Sequence, residues 1–266
     1  KPHLFRRATP TVRRRAILST AALGLGATAG CLGSVFETTN SRSPSVLADR
    51  PDAVYVPSHQ EEMGTIGRAT AGDLAVAVTY SYPHRFWTVE REDGSWTTIR
   101  TEVTRDDAVH LMATPFHEPT GTVVPNTGLS AELTRDGSLV SQEIVYPMLS
   151  QRMGVHYGAN FPLPGDGSYD VTVSVGGTGD ERYGAFEGLF GDPATGTVSF
   201  EYSEAARNDL ALQRLDDRAG ERAAVDPMSM GMLPDGRLPD PLPGDRVGTA
   251  TLGDARFVGV DLDAET

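Results

Sequence analysis

Lysine is almost missing from this chain of 266 residues: Lys1 is the only one, and every later basic residue is arginine. Cysteine is as scarce, and with Cys31 alone no internal disulfide can form. No apolar run reaches the ~20 residues that a membrane-spanning helix needs. There is no glycine-rich phosphate loop, no G-x-S-x-G and no H-E-x-x-H, so common enzyme signatures are absent. Positive charge is also in deficit. With 36 acidic against 23 basic groups the formal charge is -13, and a surface of that sign repels phosphate backbones, which excludes nucleic acid as a partner.

The few positive charges are unevenly placed. Lys1, Arg6, Arg7, Arg13, Arg14 and Arg15 fall in the first thirty residues, which hold no acid; from residue 31 onward 17 basic groups face 36 acidic ones, a net -19. Carboxylates spread along the chain hold water and ions, and salt screens their mutual repulsion, so the composition suits high salt. It resembles that of haloarchaeal proteins; an ordinary acidic bacterial protein is the alternative.

Arg13 to Arg15 precede about fifteen small and apolar residues that end at Thr28-Ala29-Gly30-Cys31. An arginine pair followed by Ala16, Ile17 and Leu18 resembles a twin-arginine export signal, and small residues ahead of Cys31 resemble a lipobox, whose thiol becomes lipidated. Residues 1–30 are therefore expected to be a lipoprotein signal. Cys31 is expected to anchor the exported protein to the outer face of the cytoplasmic membrane; an uncleaved anchor would give nearly the same location. Residues 31–52, polar and carrying Pro44 and Pro51, read as a flexible tether, with order beginning near Asp52.

From Ala53 to Tyr202 short alternating runs are separated by turn residues. Leu74, Val76 and Val78 share a face of one run, Ser95 to Val103 and Ala108 to Phe116 follow the same rule, and Asp136-Gly137 marks a hairpin. The pattern predicts an all-β fold, an immunoglobulin-like antiparallel β-sandwich over residues 53–202. Residues 203–266 read as a C-terminal extension: a helix over Ser203 to Ala224, a proline-rich loop, and a hairpin able to pair with a sandwich edge.

The chain has six histidines and seven methionines. Alternation puts His110, Met112 and Thr114 on one strand face. Met148 and His156 lie eight apart across an expected loop and can turn back to one point. Imidazole with thioether suits copper, particularly Cu(I). Taken singly, each residue is also explained by core packing. His84 follows Pro83 and precedes Phe86 and Trp87, a strand-end cluster where it either packs or guards an entrance. Met228, Met230 and Met232 in "PMSMGM" read as filler against the sandwich or as a weak carrier of copper.

The stretch "VYPMLSQRMGVHYGANFPLPGDGSYDVTV" resembles the signature of the periplasmic iron-transport protein family, copper- or zinc-binding lipoproteins and periplasmic proteins. Pro147-Met148, His156 to Asn160 and Leu163 to Tyr169 carry the resemblance. "HQEEM", ending at Met63, and "VHLMATPFHEPTGTVVP" are weaker matches, and the resemblance spans about residues 53–202. It implies His110, Met112, Met148 and His156 as metal ligands, His117 as a less secure one, and a Gly-Ala-Asn turn that fixes the loop presenting them. Met112 stands where the family has glutamate. A later family histidine has no counterpart in "ERYGAFEGLF", where Glu187 or Tyr183 would stand. More thioether and less imidazole shift the preference toward Cu(I) over iron or zinc.

The expected function is an accessory of iron or copper uptake, not an enzyme, that captures a metal and hands it to a membrane permease. The resemblance also implies pairing into a homodimer. Two alternatives stay open: a structural or protein-binding β-domain without metal, and a copper-dependent redox enzyme acting on iron.

Overall fold

Fifteen strands dominate the computed structural model, which describes residues 47–253 and 255–262. The signal segment and Cys31 lie outside the described residues. In chain order the strands are β1 (His59–Glu61), β2 (Gly64–Ala71), β3 (Leu74–Ser81), β4 (Phe86–Glu92), β5 (Ser95–Thr101), β6 (Asp107–His117), β7 (Thr122–Val123) and β8 (Leu129–Arg135). They continue with β9 (Ser138–Ser150), β10 (Gly154–Pro162), β11 (Gly167–Val175), β12 (Ala194–Tyr202), β13 (Leu212–Arg214), β14 (Asp245–Leu252) and β15 (Ala255–Asp261).

The principal sheet runs antiparallel in the order β12-β11-β8-β9-β10-β6-β3-β2, with β7 beside β6. Its long middle strand makes the sandwich. Residues Ser138 to Val145 of β9 pair with β8, whereas Tyr146 to Ser150 pair with β10, so one strand passes between layers. The ends of the path approach without pairing, Val198 of β12 packing against Gly67 of β2. Between the layers lies the core: Leu74, Val76 and Val78 from β3, which the sequence put on one face, with Val109, Leu111 and Ala113 from β6 and Val171, Val173 and Val175 from β11. Period-two alternation therefore sorts side chains as expected. The Asp136-Gly137 hairpin is also present, with φ of 51° and 72° at the two turn residues, the conformation a tight hairpin requires.

Three local expectations change. Strand β5 pairs with β4 in a separate ribbon and not with the sandwich. The helix from Ser203 stops at Asp209: α1 is Glu204–Asp209, capped by the Ser203 hydroxyl accepting from Ala206 N–H at 3.0 Å, and it buries no residue. A short polar helix without an apolar stripe gains too little to propagate, and the chain turns instead into β13, which pairs with β1. The C-terminal hairpin forms as β14 and β15, but these strands pair only with each other.

The β1–β13 ribbon lies over one outer face of the sandwich. Val56 N–H donates to Glu221 O and Gly220 N–H to Val56 O, both at 2.9 Å, and Val56 is fully buried. Gln151 and Arg152, in the turn between β9 and β10, fasten this cover from both sides. Gln151 Nε2 donates to Tyr55 O at 2.8 Å and its Oε1 accepts from Val225 N–H at 3.0 Å. Arg152 Nη1 donates to Glu61 O at 3.2 Å and its carbonyl accepts from Met228 N–H at 3.0 Å.

Candidate metal centre

Strand register brings the candidate ligands together beneath that cover. On β6 the side chains of His110 and Met112 point away from the core that Val109, Leu111 and Ala113 enter. Asn160 of β10 pairs with His110, Gly158 with Met112, and His156 with Met148 of β9. Met148 and His156 thus meet as direct cross-strand partners, not by a loop folding back. The stretch Gly158-Ala159-Asn160, expected as a turn, is the middle of β10. Opposed residues on paired strands hold Cβ atoms ~5 Å apart, which fixes the donors more firmly than a loop would.

His110 is wholly buried, and its Nδ1 lies 2.8 Å from Asn160 Oδ1. Asn160 Nδ2 donates to His84 O at 3.0 Å, which turns the amide oxygen toward the imidazole. His110 Nδ1–H is therefore the donor, and Nε2 keeps its lone pair. That Nε2 is buried without any hydrogen-bond partner. An orphaned acceptor of this kind costs about 1–3 kcal/mol, a penalty a coordinated cation removes. Gly158 leaves the necessary room: a Cβ there would lie 2.5 Å from His110 Nε2 and 3.2 Å from Met148 Sδ, so nitrogen and sulfur converge over bare backbone.

His156 repeats the arrangement. Its Nδ1–H donates to Gly154 O at 3.1 Å, which directs the lone pair to Nε2. Burial pushes the His110 imidazole well below its ordinary value, and proximity to His84 adds to this against the Asn160 hydrogen bond. Burial also lowers His156, against the Gly154 carbonyl. Both effects favour the neutral ring, the form that ligates metals.

His84 belongs to the cluster. Its ring lies on His110 with centroids 3.9 Å apart and planes at 32°. Its Nδ1 is 3.5 Å from Glu61 Oε2, while His59 Nε2 is 3.3 Å from Glu61 Oε1. Burial alone would raise the Glu61 carboxyl, but hydrogen bonding and charge from His59 and His84 outweigh it, and the pKa falls to about 2. Four of the chain's six histidines thus gather here, beside a cavity of about 490 Å³ bordered by Glu61, Met63, His84, Met112 and His156. Leu47 and Arg50 also border it, so the chain meets the body before the point where composition places the onset of order.

His117 and Glu187 are not part of this cluster. Seven residues of extended strand separate His117 from His110 by roughly 23 Å. His117 Nδ1 is 2.9 Å from Thr120 Oγ1, and its ring packs edge-on to Phe186 and Phe190. Glu187 follows the short helical turn Gly184–Phe186 and is exposed. His59, Glu61 and Asn160 had no role assigned from sequence; the period-two spacing of His59 and Glu61 on a short strand was the available signal. Among the described residues no group of three or more His, Cys, Asp or Glu side chains is arranged to hold a metal. The donors that converge over Gly158 are an imidazole nitrogen and a thioether sulfur, a set that fits a soft cation.

The family described as Fe2+ transport protein matches residues 65–211, more than half of the chain. The chain belongs to this family. Its role accordingly lies in metal transport. Among solved structures, a copper-bound variant of FetP from uropathogenic Escherichia coli is 21% identical over 53% of this chain and 97% of that one, with a TM-score of 0.38. FetP from the same organism, as isolated, is 21% identical over 55% and 96%, with a TM-score of 0.37. No curated protein matches. Within the family match lie His84, His110, Met112, Met148 and His156; the cover that bears His59, Glu61, Met63 and Met228 falls outside it.

Proposed function

We propose that this family member captures a copper ion at His110 Nε2 and Met148 Sδ, with Met112 and His156 completing the donor set, and hands it to a membrane permease. The buried, unpartnered Nε2 of His110 beside Met148 Sδ carries this reading. Two thioethers and neutral imidazoles favour Cu(I) over iron or zinc. His84 stacked on His110 supplies a further imidazole beside the centre, and Glu61 supplies a fixed negative charge next to it. The centre binds and releases cargo and is not an enzyme active site. Export and anchoring through Cys31 by residues 1–30, a tether over 31–52, a metal-binding domain over 53–202 with an extension over 203–266, and pairing into a homodimer complete the proposal; the N-terminal sequence supports the first of these.

Metal analysis tests the centre. After dialysis against a chelator and reloading, the protein is expected to retain one tightly held copper per chain, and a Met148→Ala, His156→Ala variant to lose it. Undiminished copper in that variant sinks the reading.

A further inference from the structure

All seven methionines of the chain lie in one region. Met63, Met112, Met153 and Met228 border the larger cavity, and Met148 stands over Gly158. Met63 and Met228 also border a second cavity of about 110 Å³, together with Met230 and Met232. The main core and the side chains packed on it contain no methionine among the described residues. Methionine serving as core filler would appear in that core. Here the thioethers are concentrated around two adjoining cavities that share Met63 and Met228.

The second cavity is built, not incidental. Met228 N–H is fixed to Arg152 O at 3.0 Å, and Leu233 N–H donates to Met230 O at 2.9 Å, so the loop is ordered before any ion arrives. Thr79 Oγ1 lies 3.8 Å from Met63 Sδ, and Thr79 is the cross-strand partner of Met112. Met230 borders the smaller cavity, Met228 and Met63 border both, and Met112, on the same strand face as His110, borders the larger, so thioether residues flank the whole way between them. Thioethers carry no charge and need no deprotonation. They hold soft monovalent ions and discriminate against Zn2+ and Fe2+.

We propose that Met63, Met228 and Met230, with Met232 at the rim, form a second site that takes a soft monovalent cation of the Cu(I) class and passes it to the His110–Met148 centre. Only the destination rests on the copper reading above; the second site stands on its own donors. Met232 also packs against Ala75, Ala77 and Phe116, so substitution there would mix packing with binding. Met228→Leu and Met230→Leu conserve volume and remove only the sulfur.

The test is an anaerobic Cu(I) titration of the full chain against a colorimetric Cu(I) chelator, in a Cys31→Ser background because the lone thiol would itself take a soft ion. Two equivalents are expected. The Met228→Leu, Met230→Leu variant loses the weaker one and keeps the affinity of the tighter within about twofold. Its tight site fills from the chelated donor about tenfold more slowly. One equivalent in the parent, or two in the variant, overturns the second site; loss of the weaker equivalent with unchanged filling overturns the transfer step. In the Met148→Ala, His156→Ala variant the weaker equivalent persists while the tighter one goes. Retention of the tighter equivalent there would refute the central copper site and leave the methionine site standing.

Discussion

Gly158→Ala adds one methyl group to the floor of the centre. The new carbon would lie 2.5 Å from His110 Nε2 and 3.2 Å from Met148 Sδ, about 1 Å inside the usual contact separation of ~3.5 Å on the nitrogen side. His110 cannot retreat, since it is fully buried, hydrogen-bonded to Asn160 and stacked on His84. Gly158 sits in a strand and not in the left-handed region, so the backbone accepts alanine and the whole cost is steric. Overpacking of this kind destabilises by about 1–3 kcal/mol. A cation held by His110 Nε2 and Met148 Sδ would have to share the space between them with the methyl, and copper affinity is expected to fall at least ~100-fold, or ~2.8 kcal/mol. Urea unfolding of the metal-free protein measures the first effect, chelator competition the second. Copper binding by the alanine variant at parental affinity would refute the convergence of His110 and Met148 on one ion. Adding His110→Ala should relieve the clash, giving a stability coupling of about 0.5–3 kcal/mol without restoring binding.

Replacing Asn160 by leucine removes the acceptor that orients His110, and copper affinity should drop ~10–100-fold by competition titration while every proposed ligand remains. Tyr169 is buried and its hydroxyl donates to Gly165 O at 2.6 Å, so Tyr169→Phe should cost about 1–2 kcal/mol in urea unfolding; copper binding should not change, because the ring packs in the core. Deleting residues 245–266 removes a hairpin paired only with itself, and stability should stay within about 0.5 kcal/mol with metal binding intact. A larger loss would show that the hairpin belongs to the fold.

Where large aliphatic side chains alternate with small or polar ones, the sequence was legible. Leu74, Val76 and Val78 alternate because the core demands it, and the same period put His110 and Met112 on the opposite side of β6 from Val109 and Leu111. What alternation cannot tell is whether two residues eight apart are bridged by a loop or paired across a hairpin; Met148 and His156 were seen as convergent, but the cause is register. Ala205, Ala206 and Arg207 do form the expected helix, but past Asp209 the segment misled because helix formers such as Leu212, Gln213 and Arg214 state a local preference that pairing with Glu61, Gln60 and His59 overrides. That pairing joins segments far apart in sequence, so the arrival of His59 and Glu61 at the centre left only their period-two spacing as a local mark. His117 illustrates the converse. Its position in a matching motif suggested a ligand, and strand length carried it out of reach.

Gln151 and Arg152 occupy the bend between the two strands that present Met148 and His156, and they also bind Tyr55, Glu61, Val225 and Met228 of the overlying chain. Grip and shelter are thereby joined at a single knuckle. A force that peels the covering away pulls on the donors as well, so a docking partner that engages the outside of this protein would loosen its hold on the cargo in the same movement.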